Sequence, residues 1–312
     1  MKCVFAGTPA AAVPALTSLL ESSHEVVGVL TQPPARRGRG RRVVASPVEE
    51  VAREAGVDVF TPRHLRDDEA IARIRSWNAD VAPVVAYGQI IPKAALDVCT
   101  HGWINLHFSL LPRWRGASPV QHAIMAGDAM TGVSVFQIEE GLDTGPVYAQ
   151  HPYPILPEAT TPTLMDALAR HGADVLVHVL DALEHGTAQA RAQASEGITY
   201  AGLIRSADAE IDFSRPGEDI ERLVRACADN PGTWAMLGET RLKIDRVVCQ
   251  PSADLEPGCV HVTKNAVSVG TGTCDLLIAR LAAPGKKVMP AADWARGARL
   301  GAQPRFTYTG GN

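Results

Sequence analysis

The sequence predicts an α/β fold: a doubly wound, mostly parallel sheet of the Rossmann-like kind, followed by a small OB-like β-barrel. In the first half, short apolar runs bounded by turn residues alternate with segments of helical periodicity, the pattern of strands buried on both faces and joined by crossover helices. Beyond residue 208 the texture changes to short strand-like runs at close spacing, punctuated by Gly and Pro. At 312 residues and 46% hydrophobic content, the chain also exceeds the usual size of one domain.

Taken in order, residues 3–5, 26–30, 57–60 and 81–86 are the first buried strands. Val13, Leu16, Leu19 and Leu20 share a helix face between the first two, and residues 47–55 and 69–77 supply two further crossovers. Strands follow at 103–106, 132–137 and 147–150. A long amphipathic helix then runs from about 163 to 184, with Leu164, Leu168, Val175, Val179 and Leu183 on its buried stripe. Thr160, Thr161 and Pro162 signal its start and Gly186 its end. Residues 187–195, rich in Ala and Gln, have no strong apolar period and read as a connector. The expected organisation is a catalytic domain over 1–190, a linker over 191–207 and a barrel over 208–312. Within the barrel domain a helix is expected at 218–228 and strands at 242–249, 258–262, 266–269 and 274–281.

Composition excludes some functions. No run of about 18 apolar residues could span a bilayer, and MKCVFAGTP already reads as a strand, so a soluble, cytoplasmic protein is expected. The six cysteines are scattered, without a CxxC pair or zinc-site spacing, and read as reduced core thiols with no metal. FAGTP contains only Gly7, and neither GxGxxG nor GxxxxGK[ST] follows, which argues against NAD and ATP. The formal net charge of −4 argues against a nucleic-acid partner, but the distribution of charge matters more than its sum.

Three features could carry chemistry. Asn105 and His107 lie at the end of a strand, where period-two geometry puts both on one face. Carboxyl ends of strands form the ligand crevice in such sheets, and a carboxamide beside a proton carrier suits acyl transfer. Asp143, in the turn EEGLDTGPV, could orient His107; taken singly, Asn105, His107 and Asp143 are better explained as a strand-end cap, a core histidine and a turn aspartate. The third feature is RRGRGRR, in which Arg36, Arg37, Arg39, Arg41 and Arg42 crowd one loop. Such a run is either a solvated segment or a phosphate clamp.

These segments resemble the folate-dependent formyltransferase family over nearly the whole chain. The resemblance rests on FAGTPAAAVPAL at the start, RGRGRRVVASPVEEVA, VVAYGQIIP at 84–92, INLHFSLLPRWRGASP at 104–119, TGVSVFQIEEGLDTGPV at 131–147 and GKKVMPAADWARGARLGA at 285–302. It implies that Asn105, His107 and Asp143 are the catalytic set. It also implies that Ser109, Leu110, Leu111 and Pro112, with Tyr87, Gly88, Ile90 and Ile91, border a folate pocket. The implied formyl donor is 10-formyltetrahydrofolate and the implied acceptor is the α-amine of initiator methionyl-tRNA, in a monomer. The arginine loop would then enter the RNA acceptor stem. Lys286 and Lys287 belong to a tail in which six basic side chains face Asp293 alone, a surface suited to an RNA backbone. Phe108, where many relatives carry glycine, would narrow the pocket mouth, and PGTW at 231–234 is a weaker match. The alternatives are a formyltransferase acting on a small amine, such as a nucleotide sugar or glycinamide ribonucleotide, and a tRNA-binding protein without chemistry.

Overall fold

A computed structural model describes residues 1–37 and 42–310. The chain forms two compact units. One comprises Met1–Pro119, Met130–Pro154 and Met165–Ala201; the other comprises Val120–Ala129, Ile155–Leu164 and Gly202–Asn312.

In chain order the first unit opens with β1 (Lys2–Gly7), α1 (Val13–Leu20), β2 (Glu25–Leu30), β3 (Ala35–Arg37) and β4 (Arg42–Val44). It continues through α2 (Pro47–Glu54), β5 (Val59–Phe60), α3 (Asp68–Ser76), β6 (Ala82–Val85), α4 (Lys93–Leu96) and β7 (Trp103–His107). Helix α5 (Pro119–Ala126) falls almost wholly in the second unit, after which β8 (Met130–Gln137), β9 (Val147–Pro154) and most of α6 (Thr161–Glu184) complete the first.

The sheet order is β5-β2-β1-β6-β7-β8-β9. Its first five strands are parallel, and β8 and β9 run antiparallel to their neighbours. Cys3, Val4, Phe5 and Ala6 of β1 are all fully buried, which is why this strand reads as a continuous apolar run instead of an alternating one. The order reverses between β1 and β6, the kind of place where open α/β sheets bind ligands. Ser46 caps α2 by accepting the Glu49 backbone N–H at 3.0 Å, with Pro47 at the first helical position, a cap worth about 1 kcal/mol.

Helix α6 lays Leu168, Leu176 and Leu180 into the core, each fully buried. Gly172 lets it come close to β7, since a Cβ there would stand 2.8 Å from Leu106 Cδ1. Leu106 therefore faces α6, and the alternating side chains of Asn105 and His107 point to the other face of the sheet.

The arginine segment, read as a loop, contains an antiparallel backbone pair, with Ala35 opposite Val44 and Arg37 opposite Arg42. Arg39 and Arg41 lie outside the described residues. Residues 191–201, at the start of the segment read as a linker, pair with the first unit. Arg191 and Val147 exchange backbone hydrogen bonds at 2.7 and 2.9 Å, and Ala201 donates to Arg115 O at 2.7 Å.

The second unit holds α7 (Gly217–Ala226), β10 (Trp234–Leu237), β11 (Thr240–Cys249), β12 (Val260–Val262) and β13 (Val267–Gly270). It ends with β14 (Asp275–Ala282), β15 (Met289–Pro290), α8 (Ala291–Gly297) and β16 (Phe306–Thr307). Its strands follow the order β12-β13-β14-β11-β10-β16, with β15 on β14. A bridge from Cys259 to Arg305 joins the two ends. Val260 donates to Pro304 O at 2.9 Å and Phe306 to Gly258 O at 2.8 Å, which nearly closes the sheet into a barrel. Ile220 and Val224 of α7 pack with Leu242, Ile244, Val269, Leu276, Ile278 and Phe306 in its core.

Candidate active site

The site is built where β7 ends and the chain turns through residues 108–118. Strand β7 pairs with β8 so that Asn105 lies opposite Phe136 and His107 opposite Ser134. His107 is 6% exposed, its ring set edge-on to Phe136 with centroids 6.3 Å apart. His107 Nε2 stands 2.9 Å from the Trp114 carbonyl oxygen. That oxygen can only accept, so the network places a proton on Nε2. His107 Nδ1 faces Asp143 Oδ2 across 3.8 Å. The same carboxylate oxygen accepts the Gly116 backbone N–H at 2.7 Å. The three residues of the expected set thus stand in two states. His107 and Asp143 are tied into the protein, whereas Asn105 is half-buried and no hydrogen bond among the described residues engages its carboxamide.

Backbone bonds shape the floor of the site. Ser109 is fully buried; its hydroxyl donates to Arg113 O at 2.6 Å and its carbonyl accepts from Ser134 Oγ at 2.7 Å. The Leu111 N–H donates to Ser134 Oγ at 3.0 Å, and the Leu111 carbonyl accepts from Gln150 Nε2 at 2.7 Å. Of Ser109–Pro112, then, only Leu110 and Pro112 keep partly exposed side chains, and Leu111 is inside.

The loop after β6 leaves the same edge of the sheet. Tyr87 is 2% exposed and belongs to the hydrophobic core, its backbone carbonyl accepting from Thr8 Oγ1 at 2.8 Å and Gln32 Nε2 at 3.3 Å. Burial pushes its phenol pKa up. Gly88 is exposed with φ of 84°, Ile90 is 91% exposed, and Ile91 packs against the core. Phe108 is buried.

Several contributors carry no sequence signal of their own. The Trp114 carbonyl, the Gly116 N–H, Arg115, Gln193 and Thr199 all converge here, the last by accepting the Trp114 N–H at 2.8 Å. A backbone atom has no residue type to betray it, and Gln193 sits in an aperiodic stretch. Glycine 116 alone could have been found: its φ is 122° and a Cβ would meet Ala201 O at 2.6 Å.

Among the described residues one group could in principle hold a metal: His24, Asp181 and Glu184, with ligand atoms within 4.8 Å of one another. The Met1 ammonium already donates to Glu184 at 2.5 Å and stands 3.2 Å from His24 Nδ1, so positive charge is supplied there. Burial, then the ammonium, lowers the His24 pKa.

A formyl transferase family model matches residues 1–180, and a model of the formyl transferase C-terminal domain matches residues 203–299. The chain belongs to the formyl transferase family. Among curated formyl transferases it is 48% identical to a methionyl-tRNA formyltransferase of Thermobifida fusca, covering 98% of this chain and 99% of the relative. It is 51% identical to one of Streptomyces avermitilis, covering 96% and 97%. Solved structures share the fold at lower identity. A sugar 3N-formyl transferase, WlaRD, crystallised with dTDP and 5-N-formyl-THF, superposes with a TM-score of 0.67 at 17% identity, over 92% of this chain and 99% of that one. HypX from Aquifex aeolicus, in complex with tetrahydrofolic acid, gives 0.65 at 16% identity, over 94% of this chain and 46% of that one. Among the described residues no helix is long and apolar enough to cross a membrane.

In the second unit, Lys286 and Lys287 are exposed on the turn between β14 and β15. Three other basic residues of the tail form ion pairs: Arg280 with Asp245 at 3.6 Å, Arg296 with Asp293 at 2.5 Å and Arg305 with Glu256 at 2.8 Å.

Proposed function

We propose that this chain transfers the formyl group of 10-formyltetrahydrofolate to the α-amine of initiator methionyl-tRNA, giving N-formylmethionyl-tRNA. The acceptor follows from relatives of that name that match the chain nearly end to end. The observation that carries the chemistry is the carboxamide of Asn105, engaged by no hydrogen bond among the described residues, beside His107, whose ring is fixed by Trp114 and faced by Asp143.

The folate fits the residues at the switch point. Gly88, the exposed Ile90, Leu110 and Pro112 leave neighbouring strand ends and present apolar surface and open backbone to a flat ring. When bound, it supplies a formyl carbon activated for attack by an amine. Asn105 donates hydrogen bonds to the formyl oxygen as that atom gains negative charge. The Trp114 carbonyl keeps the Nε2 proton in place, so His107 Nδ1 is the nitrogen open to the proton that the attacking amine releases. Asp143 balances the positive ring that results, and His107 returns the proton to the leaving nitrogen. No protein nucleophile is needed. Arg36, Arg37, Arg39, Arg41 and Arg42, with Lys286 and Lys287, would bind the RNA backbone.

The test is formyl incorporation from 10-formyltetrahydrofolate into initiator methionyl-tRNA, beside free methionine, a nucleotide amino sugar and glycinamide ribonucleotide. Transfer to the charged tRNA alone supports the assignment. Transfer to a small amine overturns the acceptor and keeps the family.

A further inference from the structure

Asp143 holds a backbone conformation that few non-glycine residues adopt, with φ of 50°. Without that twist its carboxylate would not meet both the Gly116 N–H and His107. Something must hold the turn. The turn's own residues do not explain it, because Gly141 and Gly145 flank Asp143 and loosen the chain on either side.

The restraint comes from fifty residues further along the chain. Gln193 Nε2 donates to the carbonyl oxygens of Asp143 and of Gly145, each at 2.8 Å. Its Oε1 accepts from Arg115 Nη2 at 2.7 Å and Nε at 3.2 Å. Arg115 is 7% exposed and sits between Trp114, which orients His107, and Gly116, which orients Asp143. One carboxamide therefore ties the loop that carries Asp143 to the loop that fixes His107, and uses every polar atom it has to do so. The bridge of Arg191 with Val147 and the Thr199 contact with Trp114 hold the segment on either side of it.

We propose that Gln193 is a positioning residue for formyl transfer: anchored by Arg115, it holds the Asp143 turn in the left-handed conformation that aims the carboxylate at His107. The inference rests on the proposed roles of Asp143 and His107. Segment 191–201 is on this account part of the active site.

Gln193→Glu separates this role from simple packing. A carboxylate keeps the volume and still accepts from Arg115, but it loses both donors to the 143–145 turn. The expected result is a kcat lower by about tenfold to a hundredfold, with KM for either substrate within about twofold. In an Asp143→Asn background the same change adds little further loss, because its effect runs through that carboxylate. Independent multiplication of the two losses would overturn the proposal.

A second readout needs no turnover. Nitrogen-15 shifts of the His107 ring, assigned by their loss in His107→Ala, change in Gln193→Glu if Asp143 has moved. Arg115→Lys loosens the anchor and keeps both donors, so it gives a smaller change of the same sign and serves where Gln193→Glu does not fold. Unchanged ring shifts in the folded variants overturn the proposal. Wild-type protein inactive on tRNA would instead overturn the function proposed above, and the ring shifts would still decide the role of Gln193.

Discussion

Asp143 accepts the backbone N–H of Gly116 at 2.7 Å, although 26 residues, one helix and one strand separate them in the chain. The hydrogen bond fixes the carboxylate between two loops, so that the face it turns to His107 is set by backbone and not by a flexible side chain.

Gly116 is accordingly sensitive to substitution. Its φ of 122° and the 2.6 Å approach of Ala201 O leave no room for a Cβ. Gly116→Ala should cost about 1–3 kcal/mol in urea unfolding and lower turnover with it, because the N–H that Asp143 uses must move. Wild-type stability in this variant would show that the 116–201 contact is loose in solution.

Asn105→Ala and His107→Ala should each reduce turnover by about a hundredfold to a thousandfold while tRNA affinity changes little. Both side chains face the same side of β7, away from α6. Single-turnover rates beside filter binding make the comparison. Near-normal rates in Asn105→Ala would remove the proposed oxyanion role.

Alanine at Arg39, Arg41 and Arg42 together should weaken tRNA binding and flatten the slope of log affinity against log salt by about 2–3 units. A slope equal to the wild type's would return the segment to a solvated charge run. The loss should be similar for charged and uncharged tRNA, since phosphate contacts do not read the amino acid.

Three buried thiols make stability depend on alkaline pH. Burial pushes Cys3 from 9.0 up to about 12, and Cys99 and Cys227 up to about 11. Each folded value lies above the unfolded one, so their contribution is fully present below pH 9 and is lost as pH rises through 9 toward 11 and 12. Urea midpoints should therefore hold steady up to pH 9 and fall above it, with a shallower fall in Cys227→Ala. Rapid alkylation of all three thiols in the native protein at neutral pH would contradict their burial.

Much of this protein was legible from residue patterns. Cys3 to Phe5 announced a strand covered on both faces because each side chain there had to be apolar, and the stripe of Leu164, Leu168, Val175, Val179 and Leu183 announced α6 because burial on one side demands that period. Asn105 and His107 could be placed on one face because the strand period is two. Elements whose stability comes from neighbours were not legible. Strands β10, β15 and β16 are two to four residues long, and β16 exists because β10 offers it a partner on one side and Gly258 and Val260 do so on the other. The same distinction runs through the candidate site. Residue types marked out Asn105, His107 and Asp143, since a carboxamide, an imidazole and a carboxylate carry their chemistry with them. Which of them is free, that a Trp114 carbonyl sets the His107 proton, and that Gln193 reaches the Asp143 turn were decided by tertiary structure. Backbone groups are identical in every residue, and only the path of the folded chain selects which of them meet.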